Sequence, residues 1–199
     1  MQFPAGGGKR SLLLYWRKRM REGCFMPKVC VTIEKLTHKN FDLTSLDGFD
    51  RFQEVTEVWR RVEGAYRLVR APFTETWSPA RRREKAAEVL SGDFLAFGAM
   101  AEGRVAGLLL LESRLRGRRM VVSSLHVDRG FRHGGLGRML FRRAMEEGRR
   151  AGAAELYISA CSARETIAFY RAMGCVAADP VIPELAEAEP CDLQLVCPL

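Results

Sequence analysis

Metal-ligand spacing is missing from this chain. Its three histidines (His38, His126, His133) and six cysteines (24, 30, 161, 175, 191, 197) are scattered, and no Cys-x-x-Cys pair occurs. Structural zinc sites and small disulfide frameworks need tighter, paired spacing. No metal is therefore expected, and the thiols read as reduced and mostly buried in a cytoplasmic protein. Long apolar runs are missing too: nothing approaches the roughly eighteen residues of a membrane span. The apolar residues 12–16 are too few for a secretory signal and run straight into Arg17-Lys18-Arg19. A Walker loop would need Gly-Lys-Ser/Thr, which does not occur. Helix-turn-helix and zinc-finger spacings are absent, as are internal repeats and low-complexity tracts.

What is present suits a sizeable core, with 199 residues and 47% apolar side chains. The net charge of +8 invites a nucleic-acid reading, but its distribution disfavours one. Residues 1–25 hold Lys9, Arg10, Arg17, Lys18, Arg19 and Arg21 against Glu22, a net +5, which leaves only +3 for the other 174 residues. The chain divides into a basic extension, residues 1–25, expected to be disordered or loosely docked, and a domain, residues 26–199. Met26 is a candidate start, because a strand pattern begins just after it.

In that pattern Val29, Val31 and Ile33 alternate with polar neighbours, as in a half-buried strand. Residues 41–52 are turn-rich, and residues 54–59 and 66–70 flank Val62-Glu-Gly-Ala65 as a hairpin. Ser78-Pro79 starts a helix, with Ser as N-cap and Pro in the first position, and Gly92 stops it. Residues 94–100 and 105–111 flank Ala101-Glu-Gly-Arg104 as a second hairpin. The nearly unbroken apolar run of its second strand implies burial on both faces. Residues 120–127 read as a central strand. The helix from Leu136 should turn Met139, Leu140, Ala144 and Met145 inward and Arg142, Arg143, Arg149 and Arg150 outward. A strand at 155–159, a helix over 166–173 and two short strands complete the order.

The chain is organised around residues 123–152. A strand ending in Val127 leads through Arg132 to the turn His133-Gly134-Gly135-Leu136-Gly137, which opens a helix. The first N–H groups of a helix lack partners and carry partial positive charge, so they hold anions. Arg132 and Arg138 add side-chain charge, and a phosphorylated ligand is expected. A dinucleotide fingerprint would need glycine where Leu140 stands. What remains, Arg132-x-x-Gly135-x-Gly137 directly after a strand, resembles the acetyl-CoA pyrophosphate loop of the GNAT superfamily of N-acetyltransferases, Gln/Arg-x-x-Gly-x-Gly/Ala. Downstream, Thr166-Ile-Ala-Phe-Tyr-Arg-Ala-Met-Gly174 resembles that family's second CoA-side helix. The resemblance covers residues 94–199 well and residues 26–93 loosely. It implies an α/β fold with a mixed, mostly antiparallel central sheet and helices on both faces.

It also implies direct attack of an amine on the acetyl-CoA thioester in a ternary complex. On that resemblance Arg132, His133, Gly134, Gly135, Leu136, Gly137 and Arg138 hold the CoA, and the strand end at Leu125 and Val127 presents backbone groups to its acetyl and pantetheine end. Tyr170 takes the part of general acid toward the leaving thiolate. The chain departs from the family pattern at Ala163, where Asn is common, with Ser162 beside it. For the base, His126 has a suitable intrinsic acidity, with Ser124 on the same strand face; Glu75 and Glu112 are alternatives acting through water. After Arg171 no basic residue occurs, while Asp179, Glu184, Glu187, Glu189 and Asp192 are acidic, an asymmetry that would draw a cationic amine. The expected acceptor is a primary amine of a small molecule, such as an antibiotic or a polyamine, and a homodimer stays open. The alternative of another class is a non-catalytic CoA-binding sensor or partner-binding module.

Overall fold

The structure is a computed structural model that describes residues 14–16 and 29–199. The candidate start at Met26 and most of the basic extension lie outside these residues. In chain order the elements are β1 (Leu14–Trp16), β2 (Val29–Lys35), β3 (Gln53–Val62), β4 (Ala65–Glu75), α1 (Pro79–Leu90), β5 (Phe94–Ala101), β6 (Arg104–Glu112) and β7 (Arg119–Val127). There follow α2 (Leu136–Arg150), β8 (Glu155–Ala160), α3 (Arg164–Ala172), β9 (Val176–Ala177), α4 (Pro183–Ala188) and β10 (Leu193–Pro198). Eight strands form one sheet in the order β1-β2-β5-β6-β7-β8-β10-β9, and β3 with β4 forms a separate hairpin sheet. All neighbours in the large sheet are antiparallel except β7 beside β8.

Local chemistry explains the connections. Glu63-Gly64 and Glu102-Gly103 both adopt positive φ (50° and 82°; 51° and 73°), which gives two-residue turns whose twist matches the flanking strands. At α1 the Ser78 hydroxyl accepts from the Arg81 N–H at 3.1 Å, and Pro79 occupies the first position. Ser78→Ala should therefore cost about 1 kcal/mol, read as a fall of about 2–4 °C in thermal denaturation. An unchanged Tm would mean that water caps this helix equally well.

The buried run of β6 serves two cores at once. Leu109 and Leu111 pack with Leu140, Phe141 and Ile167 of α2 and α3, while Leu108 and Leu110 pack with Ala86 and Val89 of α1. Because successive side chains point to opposite faces, an unbroken apolar strand needs a helix layer on each side.

The sequence reading needs four corrections. Residues 14–16, assigned to a loosely docked extension, pair with β2 as an edge strand (Leu14 with Val31, Trp16 with Val29). Arg143 does not point outward: its guanidinium lies 4.4 Å over the Phe97 ring and pairs with Glu147 at 2.7 Å, its apolar stem covering the core edge. Among the described cysteines only Cys175 and Cys197 are buried; Cys30 and Cys191 are exposed and Cys161 is half-buried. The acidic stretch after Arg171 is not all loop, for α4 docks Leu185 against Tyr157 and Val196. Six residues give too little periodicity to announce such a helix. Among the described residues no helix is long and apolar enough to cross a membrane.

Candidate functional site

The site begins where two parallel strands part. β7 and β8 pair only from Arg119–Val121 to Glu155–Tyr157. Beyond that point β7 stays bonded to β6 as far as Val127, and β8 to β10 as far as Ala160. Among the described residues, the facing backbone edges of 122–127 and 158–160 have no strand partner, so a wedge opens between them. A bulge helps to bend β7: Val122 pairs with Leu111 and Ser124 with Leu110, which leaves Ser123 extra. The bulge also reverses the side-chain alternation. Met120 and Val122 face the α2–α3 core, and past Ser123 that face passes to Leu125 and Val127. Ser124 and His126 turn toward the α1 side.

The loop after β7 is fixed by Asp128, a buried carboxylate the sequence reading overlooked. It accepts from the N–H of Asp50 at 2.9 Å, the N–H of Gly130 at 2.8 Å and Arg104 at 3.2 Å. Arg132 donates through Nε to the Val127 carbonyl at 3.0 Å. Its two terminal nitrogens make no hydrogen bond or ion pair among the described residues. His133 and Gly135 both adopt positive φ (63° and 87°), and Gly135 opens α2 without a side-chain cap. From His133 to Arg138 no backbone N–H donates to a protein acceptor among the described residues. Such a run of free donors at a helix N-terminus forms a cradle able to hold an anion. Leu136 offers only its N–H, since its side chain is buried. A Cβ at Gly137 would touch the Phe169 ring at 3.4 Å, an ordinary contact. His133 and Arg138 are exposed beside the cradle.

The two residues given proton-transfer roles lie on different faces of the sheet. His126 Nδ1 accepts from Arg51 Nε at 2.9 Å, and its ring meets Trp77 edge-on at 4.8 Å. Arg51 is held in turn by Glu75 at 2.7 Å and Gln53 at 3.1 Å. With Nδ1 occupied, the proton of the neutral ring sits on Nε2, so His126 presents a donor. Burial, then Arg51, Lys85, Arg132 and Arg81, hold its pKa well below the ordinary value of 6.5, so it is neutral at pH 7. Ser124 is buried and accepts from Lys85 Nζ at 3.2 Å. Glu112 lies at the end of β6 remote from the loop, gripped by Arg116 at 2.8 Å.

Tyr170 sits on the other face, 7% exposed, edge-on to Phe141 and Phe169. Its hydroxyl has no hydrogen-bond partner among the described residues. Burial, then Cys175, Asp192 and Cys161, raise its pKa, so the phenol keeps its proton at neutral pH. Ser162 does not supply the polar group that Ala163 lacks, because its hydroxyl accepts from Arg60 Nη1 and is buried. Arg51, Arg60 and Asp128 escaped the sequence reading: each reaches its partner across more than 70 or 20 residues of chain, and no local pattern marks them.

The acetyltransferase (GNAT) family model matches residues 62–175. No curated protein sequence matches the chain. Among solved structures, nourseothricin acetyltransferase superposes with a TM-score of 0.65 at 21% identity, over 84% of this chain and 98% of that one. A putative streptothricin acetyltransferase from Bacillus anthracis str. Ames, solved with acetyl coenzyme A, gives 0.64 at 12% identity over 85% and 98%. The ribosomal-protein-S18-alanine N-acetyltransferase from Escherichia coli gives 0.54 at 18% identity over 84% and 93%. At these identities the likenesses speak for the fold, the mixed α/β sheet with helices on both faces that the loop motif implied. With more than half of its length matched by the family model and the strand, wedge and glycine turn in place, the chain belongs to the acetyltransferase (GNAT) family.

Proposed function

We propose that the protein transfers the acetyl group of acetyl-CoA to a primary amine of a small, cationic molecule, within a ternary complex. One observation carries this reading: the N–H groups of residues 133–138, which have no partner among the described residues, lie directly beyond the wedge between β7 and β8. Phosphates would lie on the former and the pantetheine chain in the latter, beside Leu125 and Val127. Acetyl-CoA supplies an activated thioester; the protein supplies proximity and proton control. A cationic acceptor is favoured by the carboxylates near the wedge, Glu75 and Asp192. Two of the structural neighbours are named as acetyltransferases of nourseothricin and of streptothricin.

Tyr170 then protonates the departing sulfur. Its hydroxyl has no hydrogen-bond partner among the described residues to lose, so Tyr170→Phe should leave the fold and the KM for acetyl-CoA nearly unchanged. It should lower kcat by about a hundredfold, measured as amine-dependent release of free CoA thiol. An unaltered kcat would remove Tyr170 from that role. A second reading has a specific observation behind it: Ala163 stands where the family often has Asn, and the neighbouring Ser162 hydroxyl is engaged by Arg60. Acetyl-CoA binding without thiol release for any amine would favour that reading, a CoA sensor.

A further inference from the structure

Resting on this function, we propose that Asp192 is the catalytic base, the group that takes the proton from the acceptor ammonium. Antiparallel pairing of Leu193 with Ala160 places Asp192 across from Cys161, at the end of β8 where the wedge opens. Four elements bring titratable groups within electrostatic reach of it: Glu189 from the end of α4, Glu75 from β4, Arg60 from β3 and Tyr170 from α3. Arg60 is fixed there by the Trp59 carbonyl at 2.9 Å, the Ser162 hydroxyl and the Cys191 carbonyl at 3.4 Å. The Asp192 N–H donates to the Glu189 carbonyl at 3.0 Å, which sets the turn into β10.

The second, independent observation is Tyr170: its side chain is more than nine-tenths buried, its hydroxyl has no hydrogen-bond partner among the described residues, and it lies within electrostatic reach of Cys175, Asp192 and Cys161. Tyr170 and Asp192 are thus within electrostatic reach of each other near the end of β8, whereas the Nδ1 lone pair of His126 is engaged by Arg51. Burial, reinforced by Glu189 and Glu75 against the pull of Arg60, pushes the Asp192 carboxyl up to about 7. A base near the operating pH combines availability with proton affinity.

The proton balance closes. Asp192 carboxylate accepts one proton from the ammonium, and the freed nitrogen lone pair forms the C–N bond to the thioester carbon. The C–S bond breaks with its electron pair on sulfur, which takes the Tyr170 proton. The second nitrogen proton returns to the Tyr170 oxygen, and Asp192 releases its own to solvent.

The test follows thiol release by the full chain from acetyl-CoA, with spermidine and streptothricin F as acceptors, between pH 5.5 and 9. In the wild type, kcat/KM should fall as pH drops below about 7. Asp192→Asn should lose about 10²–10³ in kcat and the inflection with it, at unchanged acetyl-CoA affinity, and Asp192→Glu should restore part of the rate. Melting gives a readout apart from activity. Because the folded-state pKa is raised, ionising Asp192 costs stability as pH rises through it. Asp192→Asn should therefore melt higher than the wild type at pH 8.5; the gain should shrink to about a third at pH 5 and vanish only below about pH 4, where the unfolded chain also holds the proton. An Asp192→Asn variant that keeps both rate and inflection overturns the inference alone. An inflection lost in His126→Gln instead assigns the base to His126. Wild type that binds acetyl-CoA yet releases no thiol with either amine overturns the functional reading, and the inference with it.

Discussion

Arg132→Ala and, separately, Gly135→Glu should each weaken acetyl-CoA binding, the second by at least about a hundredfold. Gly135 holds φ at 87° where α2 begins, a conformation that costs an ordinary residue about 1–2 kcal/mol. A glutamate there also brings a carboxylate to the run of partnerless N–H groups, where it competes with phosphate for the same donors and repels it. Loss of a hundredfold corresponds to about 2.7 kcal/mol, within reach of these two effects together. For Arg132 the expectation is smaller. One charge-assisted contact is worth about 1.5–3 kcal/mol, hence a loss of about ten- to a hundredfold. Part of it would come through the lost hold on the Val127 carbonyl. Calorimetric titration of acetyl-CoA measures both. Undiminished binding in the Gly135 variant would mean that this turn only joins a strand to a helix.

Phe141→Ala should be the most destabilising single change considered. The ring is fully buried on α2, with Phe169 at 6.1 Å and Tyr170 at 5.7 Å, both edge-on. Emptying it removes apolar contact and leaves a cavity between α2 and α3, at a cost of about 3–5 kcal/mol. For a chain of this size that is a fall of roughly 6–20 °C in Tm. Activity should drop at temperatures where the variant remains folded, because Tyr170 loses one wall of its seat. Phe141→Leu, which keeps most of the volume, should cost less than about 1.5 kcal/mol. A Tm for Phe141→Ala within a degree or two of the wild type would show that α2 and α3 close over the gap.

Much of this molecule is written locally. The Ser78-Pro79 start, the Glu102-Gly103 turn and the Gly135 left-handed step each follow from the conformational preferences of the residues at that point. The apolar run of β6 announces its own burial on two faces. The anion cradle was legible for the same reason: it consists of backbone donors, and only glycine placement and the preceding strand are needed to locate it.

The proton-transfer groups were not legible in this way. Strict alternation along β7 sets His126 on the face of Met120 and Val122, whereas the bulge at Ser123 puts it on the opposite one, against Trp77 and Arg51. Asp192 read as one member of an acidic run until β10 aligned it with the end of β8. The sequence by itself determined the strands, the turns and the glycine-rich loop with its free backbone donors, because these depend on neighbours a few residues apart. Only the tertiary structure decided which side chains are buried together around the end of β8 and which charges act on them. Burial and charge at a site come from segments far apart in the chain, and a proton's affinity depends on all of them at once.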